Sequence, residues 1–243
     1  MMNGVIQSGY YGKLPLRGDF IQRNLDATFI QTWDGWLQSV IATSRETLGE
    51  HWLNYYLISP IWRFYLPPIE NNAYCGIMLP SVDKVGRYFP FTITTPIEDS
   101  TGPEQIISSN LQWFTQAEQL ALKALEESIS FEQLNQFIDS FQLMPQSSAS
   151  LNTTNNRNFR IPLSDLMTVE RAFTELCHVL PSQQSQQFSY WWSNGNEHVA
   201  GNLLCCDTMP DDNLYTAMLD GQWDLCHVQA LTDNNTPELN NFN

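Results

Sequence analysis

Apolar positions recur along this chain with two different periods. After a loop from Gly12 to Asp19, the residues Phe29, Ile30, Trp33, Trp36, Leu37, Val40 and Ile41 return at intervals of three and four. That spacing places them on one face of a helix. Thr28 and Gln31 have the separation of a capping box at its start, and Gly49 follows Leu48 where a helix-ending glycine belongs. Ahead of the loop, Val5–Tyr11 reads as a strand. Beyond the helix come four short apolar runs, Tyr55–Ser59, Ile61–Leu66, Tyr74–Leu79 and Phe89–Thr95, punctuated by Pro60, Pro67, Pro68, Pro80, Pro90 and Pro96. Proline has no N–H for a ladder and sits at strand ends and edges, so these runs read as short strands joined by tight loops. Tyr74–Leu79 and Phe91–Thr95 are placed to pair antiparallel, with Ser81–Tyr88 connecting them.

The helical period returns at Pro103, a residue suited to a first helical turn. Ile106, Asn110, Trp113, Ala117, Leu120, Ala121, Ala124 and Leu125 follow at threes and fours. Ser130 and Gln133 offer a second capping box ahead of Phe131, Leu134, Ile138 and Phe141. Residues 146–158 are rich in Ser, Thr and Asn and are expected to form a mobile loop. A third helix fits Leu166–Leu180, capped by Ser164 and ended by Pro181. Gln187–Ser193 and Glu197–Cys205 read as strands joined at Asn194-Gly195, a hairpin-turn pair. Leu214–Leu219 suggests a short helix, Asp224–Leu231 a last strand, and the polar tail from Thr232 is expected to fray. Groups of strands alternating with groups of helices predict an α/β fold, a three-layer α/β/α sandwich around a mixed, largely antiparallel sheet. We expect one domain over residues 1–243, with halves 1–97 and 98–231 ahead of a tail, 232–243.

Charge divides the chain at the same place. Residues 1–97 carry seven Lys/Arg and seven Asp/Glu, whereas residues 98–243 carry four and nineteen. The whole excess of −15 therefore belongs to the later half, a surface ill-suited to nucleic acid or anionic membrane. No apolar run approaches the roughly 20 residues of a spanning helix, and MMNGVIQSGYYGK lacks the basic and apolar regions of a signal peptide. Five irregularly spaced Cys read as reduced thiols in a cytoplasm.

Catalytic signatures do not stand out. A phosphate loop ending at Lys13 needs Gly at position 7 and Ser or Thr at 14, where the chain has Gln7 and Leu14. Cys177-His178, Cys205-Cys206 and Cys226-His227 lack metal-ligand spacing, so neither metal nor cofactor is expected. Glu126-Glu127 and Asp211-Asp212 read as solvated charge. A charged cluster within aromatic surroundings remains: Lys13, Arg17 and Asp19 in the first loop, with Asp83, Lys84 and Arg87 in the loop after Leu79. Both loops follow strands and belong at one end of the sheet. Two readings stay open. The carboxylates and guanidinium groups pair with each other and pin the loops, or they face a protein partner, since Arg and aromatic residues anchor interfaces.

Four ordered motifs, GYYGKLPLRGDFIQRNL, WDGWLQ, SPIWRF and PSVDKVGRYFPFT, resemble the TagF (ImpM) family of type VI secretion accessory proteins. The likeness is strong over residues 7–97. It returns at Tyr190-Trp191-Trp192-Ser193-Asn194-Gly195 and at Met209-Pro210, and Phe91 departs from the family's usual Leu after FP. The resemblance implies an α/β/α fold and a cytoplasmic, non-catalytic protein. It implies post-translational repression of secretion through a forkhead-associated (Fha) scaffold protein, in some systems alongside a threonine kinase/phosphatase pair. Membrane insertion is not implied. The competing classes are an enzyme with an unrecognised site, hydrolase or nucleotide-using, and a structural subunit of the secretion apparatus.

Overall fold

The computed structural model describes residues 7–97, 102–143, 159–163, 168–173, 188–226 and 229–230. Among these residues, nine strands form one sheet. They are β1 (Gly9–Gly12), β2 (Ile21–Arg23), β3 (Trp62–Ile69), β4 (Asn72–Leu79), β5 (Phe91–Ile97), β6 (Phe159–Pro162), β7 (Ser189–Gly195), β8 (Ala200–Cys206) and β9 (Gln229–Ala230). Their order across the sheet is β2-β1-β5-β4-β3-β7-β8-β6-β9. Every described pair is antiparallel except β6–β9, so the sheet is mixed and largely antiparallel, as the sequence pattern predicts. The β3–β7 pairing joins the charge-balanced half to the acidic half within a continuous ladder.

Alternation along the strands sends neighbouring side chains to opposite faces. In β7, Trp191 enters one core while Tyr190 and Trp192 enter the other. In β4, Tyr74 and Met78 share a face with Trp191, whereas Cys75, Ile77 and Leu79 share one with Trp192. Helices cover both faces, which makes the three-layer sandwich. On the Trp191 face lie α1 (Ala27–Leu48), α2 (Trp52–Leu57) and a later helix, Asp212–Asp220. On the other face lie α3 (Pro103–Ser109), α4 (Leu111–Leu125), α5 (Phe131–Ser140) and α6, described over residues 169–173. The helix Asp212–Asp220 is thus α7.

The helix boundaries match local chemistry. Ser130 accepts a hydrogen bond from the Gln133 N–H while the Gln133 side chain accepts from the Ser130 N–H, closing the expected capping box. Pro103 opens α3, and Gly49 ends α1 with its N–H on the Arg45 carbonyl.

Several expectations are corrected. Asp26, not Thr28, caps α1: its carboxylate accepts from the Phe29 N–H at 2.7 Å and from the Tyr74 hydroxyl. An ionised carboxylate is the stronger acceptor for a helix N-terminus. Tyr55–Ser59 is not a strand. It belongs largely to α2, where Trp52 and Tyr56, four residues apart, stack at 4.6 Å within the core. Asn110 separates α3 from α4 rather than lying within one helix. The β7–β8 turn runs through Asn196–Val199, not Asn194-Gly195, because Gly195 pairs with Ala200 and Asn196 accepts from the His198 and Val199 N–H groups. The expected strand Asp224–Leu231 is present over the two residues of β9, and a short 3-10 turn (Trp223–Leu225) takes its expected start. Val5 and Ile6, the 146–158 loop, Ser164, residues 166–167 and 174–180 of the third predicted helix (with Cys177-His178), Gln187, His227 and the tail lie outside the described residues.

Trp33 is the centre of the α1 side. It is fully buried, stacks near Phe29 and Trp191 at 5.7 and 5.9 Å, packs on Phe64 at 4.8 Å and donates its indole N–H to Thr92 Oγ1 at 3.1 Å. Trp33→Ala is expected to cost about 3–5 kcal/mol of stability, the usual range for emptying a buried Trp site. Urea unfolding followed by far-UV circular dichroism checks it, as a lowered midpoint with an unchanged slope.

Candidate functional site

Register places the two charged loops side by side. Gly12 at the end of β1 pairs with both Ile21 and Phe91, and Leu79 at the end of β4 pairs with the same Phe91. The segments 13–20 and 80–90 therefore leave the same end of the sheet. Gly12 makes this approach possible: its φ is +133°, and a Cβ there would lie 2.1 Å from the Pro90 carbonyl oxygen.

The second loop folds around Asp83. The Gly86 N–H donates to the Asp83 carbonyl and the Asp83 N–H donates to the Arg87 carbonyl, both at 3.0 Å. Gly86, at φ +86°, returns the chain. One carboxylate oxygen of Asp83 accepts from the backbone N–H groups of Val85 and Arg87, at 3.0 and 2.9 Å. The other oxygen accepts from Lys13 Nζ at 2.6 Å and from Arg87 Nε at 2.7 Å. Sequence alone pairs Asp83 with an Arg; the structure adds Lys13, which closes the link to the first loop. The Asp83 side chain is fully enclosed and that of Lys13 nearly so. Burial alone would push the Asp83 carboxyl up. The hydrogen bonds from Lys13, Arg87 and Val85 outweigh it and hold the group well below the usual carboxylate range.

Neutral hydrogen bonds complete the frame. Ser81 donates its hydroxyl to the Lys13 carbonyl at 2.7 Å. The Tyr56 hydroxyl donates to the Ser81 carbonyl and accepts the Ser81 N–H, tying α2 to the loop. Burial pushes Tyr56 well above the ordinary phenol range, so it stays neutral and able to do both. Phe20 lies over Lys13, with Nζ 4.5 Å from its ring centroid, and packs edge-on against Phe89 at 4.8 Å. Neither Tyr56 nor Phe20 is singled out by the charge pattern. Tyr56 is hidden by the strand-like run around it, and the only signal for Phe20 is an aromatic ring among polar loop residues.

The six predicted residues divide by depth. Lys13, Asp83 and Arg87 form one linked group. Arg87 also donates to the Gly18 carbonyl and approaches the fully exposed Asp19 at 3.9 Å, with about half of its side chain in solvent. Arg17 joins through its backbone, whose carbonyl accepts the Lys84 N–H at 3.0 Å, while its guanidinium lies 4.4 Å over the Phe131 ring of α5. Lys84 is exposed at the loop tip. Among the described residues, no group of three or more His, Cys, Asp or Glu side chains is arranged to hold a metal ion, and no helix is long and apolar enough to cross a membrane.

Comparison with known proteins finds a matching family. The TagF N-terminal domain, described as type VI secretion system-associated, matches residues 9–141, which include both loops. The crystal structure of PA0076 from Pseudomonas aeruginosa PAO1 is similar, with a TM-score of 0.73 and 30% sequence identity. The match covers 88% of this chain and 94% of that one. A search of curated protein sequences finds no match.

Asp83→Asn leaves the Lys13 ammonium buried without its counter-charge and is expected to destabilise the fold at neutral pH. The pH dependence identifies the cause. The folded-state pKa of Asp83 lies below its unfolded value, about 3.9, so its contribution is present above that value and is lost as pH falls towards the folded pKa. Denaturation midpoints measured from pH 7 to pH 3 should therefore show the gap between wild type and Asp83→Asn narrowing below about pH 4. A constant gap would remove Asp83 ionisation from the account.

Proposed function

The chain belongs to the TagF family of type VI secretion-associated proteins, and from that membership we propose that it is a non-catalytic repressor of the secretion system in the cytoplasm. It acts after translation by binding an assembly factor such as the Fha scaffold protein. The observation that carries this reading is the family match across both charged loops.

The chemistry of the cluster supports a binding role over a catalytic one. A general base needs a free lone pair and a pKa near the working pH. Asp83 has four donors on its two oxygens and a depressed pKa. It is committed to holding loops. What the loops present outward is Arg, Lys and aromatic surface, the residue types that anchor protein interfaces.

Deleting the gene is expected to raise the amount of tube protein released into the medium, and overexpression to lower it. Immunoblotting of culture supernatants against total cell protein measures both. Unchanged release in the two strains would reject repression. A purified chain that forms no complex with purified Fha scaffold, by isothermal titration calorimetry, would reject that partner.

A further inference from the structure

The sheet end that carries the two loops also gathers exposed apolar side chains. Phe20 is 45% exposed and Val85 68%. Leu57 and Ile58, 50% and 45% exposed, lie just ahead of β3, whose first residue Trp62 pairs with Met78 near the end of β4. Ser81 connects the two regions, because Tyr56 of α2 holds its backbone from both sides. Of the seven large exposed apolar residues among those described, Phe20 and Val85 thus belong to the two charged loops themselves, and Leu57 and Ile58 to the same end of the sheet. The other three are Leu122 on α4, Phe137 on α5 and Leu225. A gathered apolar rim edged by charge is the form of an interaction surface.

Charge on the rim opposes that of the molecule. Residues 13–20 and 81–88 contain four Lys/Arg and two Asp, a local balance of +2 on a chain of −15. Lys13 and Arg87 share a single carboxylate, that of Asp83, so the pinned group itself keeps a positive charge. Arg87 is fixed on one edge by Asp83 and by the Gly18 carbonyl, with its side chain half in solvent and the fully exposed Asp19 carboxylate only at 3.9 Å. A guanidinium held in place loses little further freedom on binding a carboxylate. Arg17 and Lys84, both exposed, join the two loops backbone to backbone, with the Arg17 guanidinium over the Phe131 ring at the start of α5.

We propose that this rim, with Arg17, Phe20, Lys84, Val85 and Arg87 at its centre, docks an acidic segment of a partner protein that carries an apolar anchor residue. The inference deepens the binding role given under Proposed function and rests on it. The carboxylates of such a segment meet the three outward cations, and its anchor lies against Val85 and Phe20. The acidic later half of the chain repels the same segment elsewhere, which gives the encounter direction.

Lys84→Glu/Val85→Asp tests the rim without touching the loop frame. Val85 contributes only its backbone N–H to Asp83, which the substitution keeps, and both side chains are exposed. A random 12-residue peptide library displayed on phage is panned on the wild-type chain and counter-selected on the double variant. Binding of the recovered peptides is then measured by fluorescence anisotropy. The expected peptides are rich in Asp and Glu with a Leu, Ile or Phe. They bind the variant at least tenfold more weakly, and they lose affinity for the wild type as salt rises. Failure to recover peptides, or recovery of basic or neutral peptides, overturns the proposal. So does dimerisation of the wild type in analytical ultracentrifugation that the double variant abolishes, since the occupant is then a second copy. The two readings fail separately. Lack of Fha binding with acidic peptides recovered removes the named partner and leaves the rim. Fha binding unaffected by the double variant removes the rim and leaves the partner.

Discussion

The buried carboxylate of Asp83 is the point on which this end of the molecule depends. It accepts from two cations and two backbone N–H groups, which together serve three structural tasks. The N–H bonds shape the 81–88 turn. Lys13 brings in the loop after β1. Arg87 reaches onward to Gly18 and so closes the ring. A carboxylate enclosed by protein is costly unless all its lone pairs are used; here they are. The same saturation keeps it ionised at neutral pH and withholds it from acid–base chemistry.

That arrangement requires a sheet that delivers both loops to one place. The antiparallel pairing of β1, β5 and β4 does so. In turn, the sheet is held by aromatic residues that alternate between faces. Trp191 and Trp192, adjacent in sequence, fill the two separate cores of the sandwich. Trp33 locks α1 onto the first of these, and its N–H bond to Thr92 reaches the strand that leaves the charged loop. Packing and electrostatics are therefore consecutive steps of one construction.

What could be read from the chain follows the range of each interaction. The long helix, the capping box at Ser130 and Gln133, and the strands on either side of Ser81–Tyr88 rest on local periods and caps, and all stand. Residues 55–59 mislead because aromatic and branched residues favour strands only when a neighbouring strand is present. Here the preceding turn at Gly49–His51 and the burial of Trp52 and Tyr56 decide for helix. Strand β2, three residues long, is too short for a period to declare it and exists through its pairing with β1. At the site, the Asp83–Gly86 turn is a short-range signal. The choice of Lys13 as the partner of a residue 70 positions away is a tertiary fact that sequence spacing does not encode.

Pinning and docking stand as alternatives only while the six charged residues are treated as one set. Depth separates them. Lys13 and Asp83 are enclosed and spend their charge on each other. Arg17, Lys84 and Asp19 are exposed, and Arg87 bridges the two layers. A loop tip held only by its own backbone would lose conformational entropy on binding a partner. A tip braced by a buried ion pair has already undergone that loss during folding. The enclosed charges thus brace the backbone that carries the outer ones, and under the docking proposal a loop so braced would lose less entropy on binding than a flexible loop of the same composition.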